Sequence, residues 1–385
     1  MPNGSTTMTD HSSLDLVLAH PTESEKRRTW TLNAKNWGGA LTLPQYLDRE
    51  EYLAHIPATR DGGVTHWILV DSTLLPDARP VLATCESLRR PVALALPDGT
   101  LKECITHGIG SVFSPPVYRG KGYASTMLRL LGSALKDHQK EEGECPFSIL
   151  YSDIGKKYYT SLGWKVSPSS HVSLTSLPPT NGSANGHTTA TPLTTADFPA
   201  LVKLDTQYIK DELIKTSKNL KKPTFSLVPD LLTLEWHHLR QSFMTTRLFP
   251  SRPAPTINGA VSSGPVGSRV WIYFTRVFYA PLGSPDNTFY ILRLVVENDV
   301  DSEENAEKLG SVLDMARKEA GEWGLGSVVA WNVCELTGKL LERSGVEHEV
   351  VQRENHSIPQ LMWYGEGKGE GEDLEWICNE KFGWC

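Results

Sequence analysis

Ser111-Val-Phe-Ser-Pro-Pro-Val-Tyr-Arg-Gly-Lys-Gly-Tyr-Ala-Ser-Thr-Met-Leu128 reads as the end of a strand, a glycine-rich turn and the start of a helix. Ile109 to Phe113 is apolar and β-branched enough for a strand. Pro115 and Pro116 end its ladder, since neither has a backbone N–H to donate. Beyond the turn, Ala124, Met127, Leu128, Leu131 and Leu135 recur at helical spacing, so one helix face packs inward. Gly120 and Gly122 leave the turn without Cβ atoms, and its N–H groups can converge on an anion at the helix N-terminus. Arg119 and Lys121 add positive charge at the same place. The stretch suits a pyrophosphate. A dinucleotide fingerprint would need a third glycine near Ser125, and a Walker loop a Gly-Lys-Ser/Thr run; neither is present.

Working outward, 385 residues exceed one typical core and predict two domains. A net charge of −7 argues against nucleic acid as an obligate partner. No apolar run approaches the ~20 residues of a membrane span. Residues 1–13 carry no basic-then-apolar signal pattern and are expected to form a flexible leader. The six cysteines are far apart, with no Cys-x-x-Cys pair. That is neither a disulfide framework nor a zinc site; no metal is expected, and a reducing, cytoplasmic setting fits.

The first half reads as a strand at 14–18, an irregular polar and aromatic stretch at 27–39, and a helix from Leu43 to His55. Strands at 67–71, 80–85 and 92–96 precede the one ending at Phe113. A strand at 147–152 leads into a helix over 153–162 that stops at Gly163. Residues 178–191, rich in Pro, Asn, Gly, Ser and Thr, read as a linker. The second half then reads as helices at 195–215 and 236–249 and a loop at 252–267. Paired strands at 270–280 and 288–296, a helix at 306–323, a strand at 327–332 and a helix at 336–344 follow, with final strands near 349–353 and 361–364. The predicted division is 14–177 and 192–385.

Arg119, Gly122 and Ala124 match the Arg/Gln-x-x-Gly-x-Gly/Ala loop of the GCN5-related N-acetyltransferase superfamily, which the first half resembles. Tyr158-Tyr-Thr-Ser-Leu-Gly-Trp164 is similar to its helix ending Phe-Tyr-x-x-Leu/Met-Gly-Phe. The resemblance implies a mixed α/β chain: two tandem acetyltransferase-type folds, each a mixed central sheet with flanking helices. The second fold is expected to be degenerate, because Asn298-Asp-Val-Asp-Ser302 stands where the cofactor loop would be and its acids would repel a pyrophosphate. More diffuse stretches narrow the likeness: Asn33 to Gly39, Tyr46-Leu-Asp-Arg-Glu-Glu51, Leu82-Ala-Thr-Cys-Glu86, His107-Gly-Ile-Gly110, Ile358-Pro-Gln-Leu361 and Asn379-Glu-Lys-Phe-Gly-Trp-Cys385. Together they resemble the fungal lysine N6-acetyltransferases of lysine catabolism.

That resemblance implies acetyl transfer from acetyl-CoA to the ε-amine of free L-lysine, without a metal. Another amine, a protein lysine, or acetyl-CoA binding without turnover are the alternatives. Cofactor contacts are then expected from Val112, Phe113, Ser114, Arg119, Gly120, Lys121, Gly122, Tyr123, Ala124 and Ser152, which stands where asparagine is common. Backbone N–H groups at Val112 to Ser114 would hold the oxyanion, and Tyr159 would protonate the departing thiolate. An ammonium with pKa ~10.4 costs about 4 kcal/mol to deprotonate near neutrality, so a base is required. Glu86 is the first candidate and His107 the second; a salt-bridged strand glutamate and a hydrogen-bonded core histidine are the ordinary explanations of each. The aromatic tail 374–385 should be docked, either as a closing strand of the second half or against the cleft between halves, as part of the lysine pocket.

Overall fold

The computed structural model describes residues 14–179, 190–365 and 374–384. The leader at 1–13 and the acidic loop at 366–372 lie outside them, as do 180–189 of the linker.

The chain runs β1 (Leu16–Ala19), α1 (Glu23–Trp37), α2 (Leu43–Ala54), β2 (Val64–Asp71), β3 (Ala83–Ala95), β4 (Leu101–Phe113), α3 (Tyr123–Leu135), β5 (Phe147–Ser152), α4 (Lys157–Thr160), β6 (Lys165–Val166) and β7 (Ser170–Thr175). It continues with β8 (Ala190–Leu193), α5 (Phe198–Leu220), β9 (Thr224–Leu227), α6 (Leu231–Leu248), β10 (Gly259–Ser262), β11 (Val270–Val277) and β12 (Thr288–Val296). Then come α7 (Glu303–Glu322), β13 (Ser327–Trp331), α8 (Glu335–Arg343), β14 (Glu349–Gln352), β15 (Ile358–Trp363) and β16 (Glu375–Trp376).

Two mixed sheets result. The first has the order β1-β2-β3-β4-β5-β15-β6, with β9 pairing β3 and β16 pairing β9; the second has the order β14-β7-β13-β12-β11-β10-β8. Each contains a parallel step at the same place, β4 beside β5 and β12 beside β13, and the first sheet has a second parallel pair in β9 and β16. The halves exchange a strand. β7, which precedes the linker, lies between β13 and β14, and β15, near the chain's end, lies between β5 and β6. The expected boundary at 178–191 therefore divides the chain but not the sheets.

Three cores hold this together. Ile109, Leu150 and Trp164 of the first half bury the α3 face made by Met127, Leu128, Leu131 and Leu135. Leu309, Val312, Leu313 and Ala316 of α7 pack on Phe274, Phe289, Val328 and Val172 of the second sheet. Between the sheets, Phe147, Ile149 and Phe225 meet Trp271, Tyr273 and Leu292, and Phe382 from the tail is wholly buried among them. Side chains of this size are each worth about 1.5–3 kcal/mol on burial.

Several sequence readings need correction. Residues 27–39 are not irregular: α1 begins with a capping box in which Thr22 Oγ1 accepts the Glu25 N–H and Glu25 accepts the Thr22 N–H. Glu25 is buried and also bound by Arg79, a long-range ion pair that local polarity does not reveal. The strands expected at 80–85 and 92–96 are one strand, β3. Pro91 interrupts nothing there, because it and Ile105 form a pair that exchanges no hydrogen bonds: Ile105 donates its N–H to Glu144 O, and Pro91 O accepts from Val228 N–H. The helix after β5 is only four residues long. The 252–267 loop contains β10, and residues 190 and 191 already belong to β8. Among the described residues no helix is long and apolar enough to cross a membrane.

Candidate active site

A β-bulge builds the centre of the site. Thr84 pairs with Phe113 and Glu86 with Gly110, so Cys85 of β3 faces both Ser111 and Val112 of β4. Ser111 sits at φ +52°, a conformation uncommon for a residue with a Cβ, and the bulge re-aims its side chain. Its hydroxyl donates to Glu86 Oε1 at 2.5 Å. The parallel pairing of β4 with β5 stops at Ile109 opposite Leu150. From there β4 runs on to Phe113 without its neighbour, so the strands part at the place from which Val112 to Ser114 project. Ser114 Oγ ties back to Leu82 O, and Arg119 Nε donates to Ser114 O.

The glycine turn follows. Gly120 (φ +76°) and Gly122 (φ +82°) both occupy the left-handed region that favours glycine. Gly122 is the N-cap of α3 and supplies no capping side chain. The N-terminal donors of α3 are therefore left to another acceptor, with the positive end of the helix dipole behind them. A Cβ at either glycine would meet nothing within 4 Å, so the surface over the turn is open to an occupant. Arg119 lies over the Phe113 ring and Lys121 over the Tyr118 ring. Tyr123 is buried beneath the turn, and Ala124 packs on the α3 core. These residues fit a pyrophosphate such as that of acetyl-CoA.

Beside the bulge, a pocket is lined by Glu86, Glu50, His66, Trp30, Asn33 and Ser111, among others. Glu86 and Glu50 are both pushed above the usual carboxylate range, first by burial. Ser111 and Arg49 oppose this at Glu86; at Glu50, Arg49 opposes it and the Glu86 charge adds to it. His66 Nδ1 stands 3.6 Å from Glu86 Oε2. Burial, with Lys26 adding to it, lowers its pKa to about 4, so its imidazole is neutral. Glu50 is joined to Arg49 at 2.7 Å, and the Arg49 guanidinium lies over the Tyr46 ring. Tyr46, Arg49 and Glu50 escaped the sequence reading as site residues. Their 46, 49, 50 spacing puts them on one face of α2, and a polar, charged face turned inward was the available signal.

The other expected residues are dispersed. Tyr159, on α4, is 8% exposed and packs in the α3 core, edge-on to Tyr158. Burial, reinforced by Tyr158 and Cys85, raises its pKa far above the usual phenol range, so it keeps its proton. His107 lies elsewhere. It is 1% exposed, its ring lies tilted 5.1 Å from that of His138, just after α3, it bonds His138 O at 3.2 Å, and it does not line the pocket. Burial lowers its pKa to about 4. Ser152 is also buried, and its hydroxyl is engaged in its own turn, donating to Gly155 O and accepting from Ile154 N. The tail reaches the cleft: Trp384 lies near Trp236, Tyr279 and Arg240, while β16 joins the first sheet and not the second.

A strand opening beside an uncapped glycine turn, in this strand order, defines the GNAT class of N-acetyltransferases. The chain belongs to a particular family of that class: residues 174–385 match the model described as the LYC1 GNAT-like C-terminal domain. It is 26% identical to a protein of Yarrowia lipolytica named lysine acetyltransferase, over 94% of this chain and 97% of that one. It is 27% identical to an uncharacterized protein of Saccharomyces cerevisiae, over 60% of this chain and 66% of that one. Among solved structures it shares the fold of a probable N-acyltransferase from Enterococcus faecalis V583. The TM-score is 0.50 and the identity 12%, over 90% of this chain and 71% of that one.

Proposed function

We propose that this protein acetylates the ε-amine of free L-lysine, using acetyl-CoA, as the first step of lysine degradation in a cytoplasmic setting. The observation that carries the reading is the Glu86 carboxylate, held by Ser111 at the β4 bulge where the strands part. The glycine turn binds the pyrophosphate of acetyl-CoA through the N–H groups of α3, with Arg119 and Lys121 alongside. Glu86 accepts a proton from the substrate ammonium, and the raised pKa brings that carboxylate nearer to the pH at which a base must work. The freed amine attacks the acetyl carbonyl, and backbone N–H groups at Val112 to Ser114 hold the developing oxyanion. Tyr159, which keeps its proton until then, donates it to the departing CoA sulfur and is reprotonated by the proton that the attacking nitrogen loses as the amide forms. His107 takes no part. The name borne by the Yarrowia lipolytica relative supports lysine as the amine.

The test is incubation with labelled acetyl-CoA and equal concentrations of free lysine, spermidine and a histone-tail peptide. N6-acetyllysine is expected as the dominant product. Label on spermidine or the peptide instead would replace lysine with another amine, and label on none would leave an acetyl-CoA-binding protein.

A further inference from the structure

One arginine of α6 makes no ion pair among the described residues. Arg240, on α6, is half-buried, and no hydrogen bond or ion pair reaches its guanidinium among the described residues. Buried guanidinium groups are ordinarily paired, because an unpaired buried charge is costly. The contacts that Arg240 does make are with ring systems: its guanidinium carbon is 5.7 Å from the Tyr279 ring centroid and 5.8 Å from that of Trp384. Neither ring consumes an N–H donor. The guanidinium fork, which matches the two oxygens of a carboxylate, stays available. Arg49, on the facing helix α2, is differently placed: it is already committed to Glu50, to Trp37 O and to the Met244 sulfur.

Helix α6 packs on α2, where Arg49 Nη1 meets the Met244 sulfur and the Tyr52 ring stacks on Phe243; Arg240 lies one turn before Met244 on the same helix face, while Glu50 of α2 lines the pocket with Glu86. Burial first, and then the charge of Arg49, lowers the Arg240 pKa to about 10, while Glu50, Tyr279 and Tyr46 oppose that fall. Glu50 in turn feels Glu86. The cleft thus has a carboxylate end at Glu86 and Glu50, beside the strand opening, and a guanidinium end at Arg240, between Tyr279 and Trp384. A molecule bearing an amine at one end and a carboxylate at the other complements both.

We infer that Arg240 is the seat of the substrate's α-carboxylate, gripped in the plane between the Tyr279 and Trp384 rings, and that it makes the enzyme select a free amino acid over a diamine or a peptide lysine. The inference rests on the reading of free lysine as the amine. It also gives the tail a role, because Trp384 walls one side of the subsite.

The experiment compares kcat/KM for L-lysine, L-lysinamide and 1,5-diaminopentane, the last being lysine without its carboxylate. The wild-type protein should favour lysine over the other two by about 10- to 100-fold, the value of a charge-assisted hydrogen bond to carboxylate. In Arg240→Gln that preference should collapse through a raised KM for lysine, and Arg240→Lys, which keeps charge but not the fork, should fall between. A folded Arg240→Gln protein with the wild-type preference intact would overturn the inference. Should that variant not fold, the wild-type protein still decides: equal use of lysine and lysinamide overturns the inference alone, leaving lysine acetylation standing. Acetylation of the diamine but not of lysine overturns both.

Discussion

The two halves repeat one construction and use it in opposite ways. In each, a strand with a bulge runs beside a parallel neighbour, leaves it, and turns into a helix: β4 to α3 in the first half, β12 to α7 in the second. In the first half the turn is glycine-rich and basic, and the N-terminus of α3 has no capping side chain. In the second, Ser302 Oγ accepts the Asn305 N–H, Asn305 binds Asn298 and Val300 O, and Glu303 and Glu304 occupy the first helical turn. That helix end is satisfied from within, and its acids repel an anion. The strand opening differs too. Beyond the last β12–β13 pair, Glu380 of the tail accepts the Leu294 N–H and pairs with Arg293, which also binds Asp205. The chain's own carboxylate fills the second opening, whereas the first is left for a co-substrate. An acetyl-CoA site therefore depends less on the fold than on whether the protein leaves its own donors unsatisfied.

The largest expected effect comes from the chemistry that only the first half carries. Tyr159→Phe should lower kcat by about 10²- to 10⁴-fold while acetyl-CoA affinity changes little. Turnover near that of the wild type would mean the thiolate takes its proton from elsewhere. Next, Gly122→Asp puts an acid at the N-cap of α3, as the second half has at its turn. Binding of acetyl-CoA measured by calorimetry should weaken by about 100-fold in a folded protein, since a cap and a like charge now occupy the anion site. Undiminished binding would remove the glycine turn from the cofactor site.

Glu380→Ala reverses the contrast by emptying the second opening. It should cost about 1.5–3 kcal/mol in denaturant unfolding, the value of a hydrogen bond to a charged group. Acetyl-CoA stoichiometry should stay at one, because the acids at α7 still exclude a pyrophosphate; a second bound equivalent would break the comparison. The smallest effect is on pH dependence. The proposed base, Glu86, must be deprotonated to act, so kcat/KM should rise with pH through its raised pKa. The Ser111 hydroxyl stabilises the carboxylate, so Ser111→Ala should move that limb about one pH unit upward. A limb that stays in place, or moves down, would take Glu86 out of the role of base.

Much of the glycine turn's conformation was legible because its signals are local. Glycines at positive φ, a basic pair and a helical apolar stripe all lie within twenty-five residues of chain. The pocket beside the bulge was not, since its lining comes from α1, α2, β2, β3 and β4, and nothing local marks Arg240 as different from any helical arginine. His107 shows the converse. Its sequence setting suggested chemistry, but β4 turns it toward His138 and away from Glu86. α1 was missed for a similar reason, because its buried face carries Glu25, whose partner Arg79 lies 54 residues away.

By itself the sequence determined the alternation of strands and helices, the glycine turn into α3 and the absence of such a turn from the second half. Hydrophobic period, glycine, proline and charge act over a few residues, and those few residues carry the information. The tertiary structure alone decided that β7 and β15 change places between the sheets, that Glu380 binds the Leu294 N–H at the second opening, and that Glu86 and Glu50 line one pocket. Strand exchange joins segments more than a hundred residues apart, and the charge pairs Arg293–Glu380 and Arg293–Asp205 join residues 87 and 88 apart. What selects them is the burial and pairing available in the folded core, and no local pattern encodes that.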